Sequence, residues 1–345
     1  RDFQTTADAH QKPGICHQLP EITQIAATGS ATHNRNESLM LDAIAAEAHR
    51  HKTLVEMVQS RAENMPDATV YSFLGSEVTV EDSRTATGLD RRARAIAQAL
   101  TDLANVGDRA ILLYPPGLDF LDAFFGSLYA GVIAVPVSPP HPARLEKTMP
   151  RLLAIARNAG PAVILTTQTL RLACEDIVKT HESFGNVNWL VTEDVPDSLG
   201  DSWAVPAVSP DSLAYLQYTS GSTALPKGVA ISHDNVLSNY ATLSAAYNHE
   251  PGLNVVNWLP HFHDLGLVYG LTWPFYAGHN VYTMSPMHFM QRPVRWLKAL
   301  SACGAVYSGG PNFAYDLCVA NVTDVEREGL DLSRWEVALN GAEPI

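Results

Sequence analysis

Apolar residues recur along this chain in two rhythms. Over residues 39–64 they fall at three- and four-residue steps (Leu41, Ile44, Ala45, Ala48, Leu54, Val55, Val58), the period of one helix face, and Pro66 closes the run. Short β-rich runs then alternate with amphipathic stretches. The pattern predicts strands over 69–74, 109–116, 132–137, 161–167 and 188–192. It predicts helices over 89–100, 117–131, 145–158 and 170–181 between them. In the first of these helices Arg91, Arg92 and Arg94 read as a solvated basic face. A strand from Leu213 to Thr219 runs straight into a Gly/Ser/Thr loop, and a helix begins after it with Ser232 or Asp234 as its cap. A second series follows, with strand-like runs at 255–260, 280–284, 305–310 and 336–343 and helices over 266–276 and 293–301. Such repetition predicts an α/β fold with mostly parallel sheets covered by helices on both faces. Ligands of such sheets bind in the crevices at the carboxyl ends of the strands.

Composition narrows the picture. A chain of 345 residues with 46% hydrophobic and 17% charged residues can bury a sizeable core. Its formal net charge of -13 argues against a nucleic-acid partner, which requires clustered Lys and Arg. The longest apolar run, residues 123–137, is shorter than the roughly 20 residues a transmembrane helix needs. No secretory leader is visible, and Cys16, Cys174, Cys303 and Cys318 include no CxxC pair. They read as reduced thiols, small and apolar, which suggests a cytoplasmic setting.

The most specific feature is the stretch from Tyr218 to Gly228, YTSGSTALPKG. Small residues let backbone N–H groups approach phosphate oxygens, hydroxyls add donors, and Lys227 supplies a compact positive charge. It is not a Walker A loop, because here the lysine precedes the final glycine. The plain alternative is a Ser/Thr/Gly surface loop.

This loop resembles the phosphate loop of the adenylate-forming superfamily, whose usual pattern is [YF]TSG[ST]TGxPKG; Ala224 stands where that pattern has glycine. From about Thr53 onward, WLPHFHDLGLVYGL, SPMHFMQRPVRWL, SGGPNFAYDLC and LDLSRWEVALNGAEP are similar to the fatty acyl-AMP ligase branch. The resemblance implies a layered αβαβα architecture with two related subdomains, the second incomplete. Its division would be a loose extension over 1–49, a first subdomain over 50–245 and part of a second over 246–345, with the C-terminal domain absent. It implies ATP-dependent activation of a fatty acid to an acyl-adenylate, with Mg²⁺, and transfer to an acyl carrier protein of a polyketide or peptide synthase. By the same resemblance Thr219, Ser220, Gly221, Ser222, Thr223 and Lys227 hold phosphates, His263 lies near the reacting carboxylate, and Gly341, Ala342 and Glu343 meet adenine. Tyr269, Trp273, Phe275 and Phe313 are candidates for an acyl tunnel wall.

Each outer position has a plainer reading. His261 and His263 can be polar residues at a strand end, or with His279 or His288 part of a metal site; Asp264 can be a helix cap; Trp273 and Phe275 can be core; Glu343 can be a solvated loop acid. Attack of a carboxylate on the α-phosphate calls for charge neutralisation and alignment more than for an acid or base, so no Ser-His-Asp triad is expected. The Mg²⁺ ligand, the hinge and the terminal domain with its catalytic lysine are expected beyond Ile345, and the 345-residue chain is expected to be inactive alone. The competing readings are a long-chain acyl-CoA synthetase and a non-catalytic nucleotide- or lipid-binding module.

Overall fold

The computed structural model describes residues 50–140, 145–180, 187–219, 226–247 and 250–342, all within the unit that runs from Ala43 to Ile345. The first 49 residues, expected to be a loose extension, lie outside the described part. Helix α1 spans Leu54–Asn64 and starts where the Thr53 hydroxyl accepts the Glu56 amide, a cap for an otherwise orphaned donor. It stops before Pro66, because proline disfavours helical geometry in the residue ahead of it.

Two six-stranded sheets organise the remainder. One contains β3 (Arg109–Leu113), β4 (Ile133–Val137), β5 (Val163–Thr166), β6 (Asn188–Val191), β7 (Leu213–Thr219) and β8 (Lys227–Ser232), in the order β6-β5-β3-β4-β7-β8. The other contains β1 (Thr69–Leu74), β2 (Val80–Thr85), β9 (Asn254–Asn257), β10 (Asn280–Met284), β11 (Tyr307–Gly310) and β12 (Val337–Asn340), in the order β12-β11-β9-β10-β1-β2. In each sheet only the last strand, β8 or β2, runs antiparallel to its neighbour. The two sheets therefore share one spatial arrangement of strands, although the antiparallel hairpin comes last in chain order in the first and first in the second. Adjacency in sequence would put β1 with the first sheet. Its hydrogen bonds put it in the second, with Tyr71 opposite Val281 and Met284 opposite Leu74. Apolar alternation marks a segment as a strand but does not name its partner.

Strand alternation sorts the side chains into three cores. Ala110 and Leu112 of β3 face a central core that also receives Tyr71, Val255, Val281 and Tyr307 from the other sheet. This core is filled by α1, α2 (Ala86–Leu100), α3 (Asp119–Tyr129), α6 (His233–Tyr247), a π-helix (Leu265–Thr272) and α7 (Trp273–Tyr276). Ile111, Leu113, Val135 and Val137 face outward, under α4 (Leu145–Ala159) and α5 (Gln168–Thr180). Leu74, Val256, Trp258 and Met284 face the opposite way, under α8 (Pro286–Gln291), α9 (Val294–Cys303) and α10 (Asn312–Asn321). The layers are helix, sheet, helix, sheet, helix, the expected αβαβα order.

The basic face of α2 is not simply solvated. Arg91 is mostly exposed. Arg92 donates to the carbonyls of Thr192 and Val195 and meets the Asp197 carboxylate at 3.2 Å. Arg94 donates to Asp90 at 2.7 Å and lies 4.7 Å from the ring centroid of Trp203. Helix periodicity could not show this, because the covering segment arrives about a hundred residues later.

Candidate active site

The site begins with a hairpin. β7 is apolar enough to be buried between two cores, and β8 returns antiparallel beside it, with Tyr218 opposite Gly228 and Thr219 opposite Lys227. Thr219 is the last residue of β7 and Lys227 the first of β8. Ser220, Gly221, Ser222, Thr223 and also Ala224 lie outside the described residues, so the structure describes the base of the predicted phosphate loop. Lys227 is exposed and has no carboxylate partner among the described residues. A Cβ on Gly228 would lie 2.9 Å from Cζ of Tyr218. The Tyr218 hydroxyl donates to Asn158 Oδ1 at 2.6 Å, so its ring cannot retreat cheaply. Glycine is needed there for close approach, a reason separate from loop flexibility. Ser232 caps α6, its hydroxyl accepting the Asn235 amide while Asn235 Oδ1 accepts the Ser232 amide.

The second component is the turn after β9. It crosses from the second sheet to the first and is tied there twice. His261 is buried against Phe120, with ring centroids 4.1 Å apart, and hydrogen-bonds the backbone of Tyr114; burial pushes its pKa down to about 3. Gln217 of β7 donates from Nε2 to the Phe262 carbonyl at 2.9 Å. Between these anchors and the π-helix sits His263, with half of its side chain exposed. Its Nδ1 is 2.6 Å from Asp264 Oδ1. That bond raises the His263 pKa and lowers that of Asp264, against the opposing effect of partial burial on each. The Leu265 amide is 2.8 Å from Asp264 Oδ1 and 3.3 Å from His263 Nδ1. One ring nitrogen cannot both donate and accept, and the shorter contact makes Nδ1–H the donor to Asp264. Asp264 is thus both the helix cap foreseen for it and the partner of His263.

The π-helix that follows fits because of two glycines. A Cβ on Gly266 would lie 2.1 Å from the Pro260 carbonyl oxygen, and one on Gly270 2.4 Å from the Asn257 side chain. Bulges of this kind are uncommon and often sit at functional sites.

These parts enclose a cleft of about 600 Å³ at the carboxyl end of β7. Arg151, Gln217, Tyr218, Asn239, His263, Tyr269 and Ala342 line it. His263 and Ala342, predicted from distant segments, meet here. Gly341 follows β12 and donates its amide to the Gly310 carbonyl at 3.4 Å. Ala342 is held at φ +79°, in the left-handed region; Glu343 lies outside the described residues. Of the tunnel candidates, Tyr269 lines the cleft. Trp273 and Phe275 are core, stacked on Tyr307 and Tyr71 respectively. Phe313 is 43% exposed on α10 and is not among the cleft's lining residues. No three His, Cys, Asp or Glu side chains among the described residues converge on a metal site. Sequence reasoning missed Gln217, Arg151 and Asn239. Gln217 had a readable signal, a polar residue in the middle of an apolar strand, while the other two sit on ordinary exposed helix faces.

A family model described as AMP-binding enzyme aligns with residues 58–345. The chain belongs to the AMP-binding enzyme family. It is 42% identical over 294 residues to the medium-chain-fatty-acid–[acyl-carrier-protein] ligase JamA of Moorena producens, covering 85% of this chain and 50% of that protein. It is 37% identical over 292 residues to the long-chain-fatty-acid–AMP ligase FadD23 of Mycobacterium tuberculosis, covering 81% and 49%. The fatty acyl-adenylate ligase of L. pneumophila, solved with acyl adenylate and pyrophosphate, superposes with a TM-score of 0.79 at 38% identity, over 87% of this chain and 51% of that one. The chain thus spans about half the length of these AMP-binding relatives.

Proposed function

We propose that this chain carries the nucleotide-binding part of a ligase that activates a fatty acid with ATP and hands the acyl group to an acyl carrier protein. The observation that carries the reading is that the strand leading into the YTSGSTALPKG stretch puts Gln217 and Tyr218 on the same cleft as His263, in a chain whose relatives include fatty-acid ligases acting through AMP or acyl carrier protein. In this reaction a carboxylate oxygen bonds to the α-phosphorus as the bond to pyrophosphate breaks, so the site must offset negative charge and align the partners. Lys227 is an exposed cation free of carboxylates among the described residues, which suits a polyphosphate. Ser220, Gly221, Ser222 and Thr223, with Thr219, supply small residues and hydroxyls to the same loop. His263, whose pKa is raised by its hydrogen bond to Asp264, is suited to hold the carboxylate. Gly341, Ala342 and Glu343 are assigned to the adenine, a role that Ala342's place in the cleft lining supports. Tyr269 and Val268 offer an apolar lining for the first part of an acyl chain. Mg²⁺ would offset further phosphate charge. The free thiols Cys174, Cys303 and Cys318 are compatible with a reducing cytoplasm.

The test is pyrophosphate–ATP exchange by the full-length protein with a panel of fatty acids, together with mass spectrometry of the product. Fatty-acid-dependent exchange is expected. Lys227→Ala should lower it about 10- to 100-fold with an unchanged melting temperature, the loss of one charge clamp on a phosphate. Exchange that ignores the fatty acid, or a Lys227→Ala variant with full activity, would sink the proposal. Acyl transfer to CoA in preference to a carrier protein would reassign the acceptor.

A further inference from the structure

The structure assigns Gln217 a positioning role: its carboxamide sets the His263 turn against the strand that feeds the phosphate loop. This rests on the nucleotide-dependent reading above.

Three observations carry it. First, Gln217 is only 5% exposed, on a strand whose neighbouring inward positions are Tyr215 and Ala214. A buried amide among apolar residues is unfavourable unless its polar atoms are matched. Second, only half of it is matched. Nε2 donates to the Phe262 carbonyl at 2.9 Å, and that bond fixes which end of the amide is nitrogen. Oε1 is buried without a partner among the described residues, and Gln217 lines the cleft. A buried acceptor left open is unfavourable, so the amide is kept at this position for the one bond it makes, to Phe262. Third, the bond to Phe262 spans the molecule. Phe262 precedes His263 on a turn leaving the second sheet, whereas Gln217 lies two residues before Thr219 on the first. His261 makes the companion tie to Tyr114. Together they tie the two residues ahead of His263 to the first sheet.

Gln217→Met keeps length and burial while removing both polar atoms. In the full-length protein it should lower the rate constant of adenylate formation about 10- to 100-fold, the scale expected for misplaced reacting groups. KM for ATP should stay within about 3-fold and the melting temperature within about 2 °C. In the 345-residue chain itself, ¹⁵N resonances of the His263 ring should shift in Gln217→Met. They should stay in place in Tyr218→Phe, which removes a hydrogen bond on the other face of the same strand. Gln217→Glu, able to donate to the Phe262 carbonyl only when protonated, should regain part of the lost rate as pH falls. A Gln217→Met protein with normal kcat, or with unmoved His263 resonances, overturns the assignment. If the unaltered full-length protein forms no acyl-adenylate, the functional reading fails, and the resonance experiment still decides the role of Gln217.

Discussion

Single residues here are chosen for what they must stand close to. Gly228 lies under the Tyr218 ring, Gly266 against the Pro260 carbonyl and Gly270 against Asn257. None of the three has a φ in the left-handed region, so close approach and not backbone freedom explains them. The reverse case is Val78, a β-branched residue at φ 62° in the turn between β1 and β2. That geometry costs a β-branched residue on the order of 1 kcal/mol. Val78→Asn should therefore raise stability by about 1 kcal/mol, minus what the valine methyl groups contribute by packing, since Asn tolerates this region. A higher urea midpoint with an unchanged slope would show it; a lower midpoint would mean that the packing of Val78 outweighs the strain.

At the scale of elements, buried polar side chains decide how helices and turns meet. His233 opens α6, and its Nδ1 accepts the Leu54 amide at the start of α1 at 3.2 Å. Burial pushes its pKa down to about 4. A lowered folded-state pKa means stability that is fully present above the unfolded value of about 6.5 and is lost as pH falls toward 4. The full effect is roughly 3 kcal/mol, from 1.36 kcal/mol per unit. His261, lowered to about 3, pulls in the same direction. Urea midpoints measured from pH 7 down to pH 5 should fall, and His233→Asn, which keeps an acceptor for Leu54, should flatten the slope. An unaltered slope in that variant would remove His233 from the account. The segment over Thr192, Val195 and Trp203 is held to α2 in a related way, by Arg92 and Arg94.

For the molecule as a whole, the central core matters most, because both sheets contribute to it. Tyr71 of β1 is fully buried, stacks on Phe275 at 5.6 Å and donates to the Leu271 carbonyl at 3.1 Å. β1 lies between β10 and β2, so the second sheet depends on a strand from early in the chain. The described part is expected to unfold as one cooperative body. Far-UV circular dichroism and tryptophan fluorescence should give coincident urea transitions. Tyr71→Ala should lower stability by about 3–5 kcal/mol and shift both probes together. Two separated transitions would show that the sheets unfold independently.

Much of this was readable from residue order alone. The apolar rhythm located most strands and helices of both sheets, since burial on one face or two imposes a period of two or about four. The YTSGSTALPKG stretch pointed to phosphate binding, because few other uses need small residues, hydroxyls and one lysine directly after a buried strand. Residue order could not pair β1 with β10, because register between distant strands depends on which surfaces remain to be covered. Nor could it distinguish His261 from His263: both sit in one HFHD turn, and only packing buries the first and leaves the second at the cleft. Trp273 and Phe275 carried a plainer reading as core, and packing bears it out; Tyr269 belongs to the same core but also reaches the cleft. Local pattern determined which segments are strands, helices and loops. Long-range packing alone decided which side chains face the cleft, because facing is a property of the neighbours brought in from elsewhere in the chain.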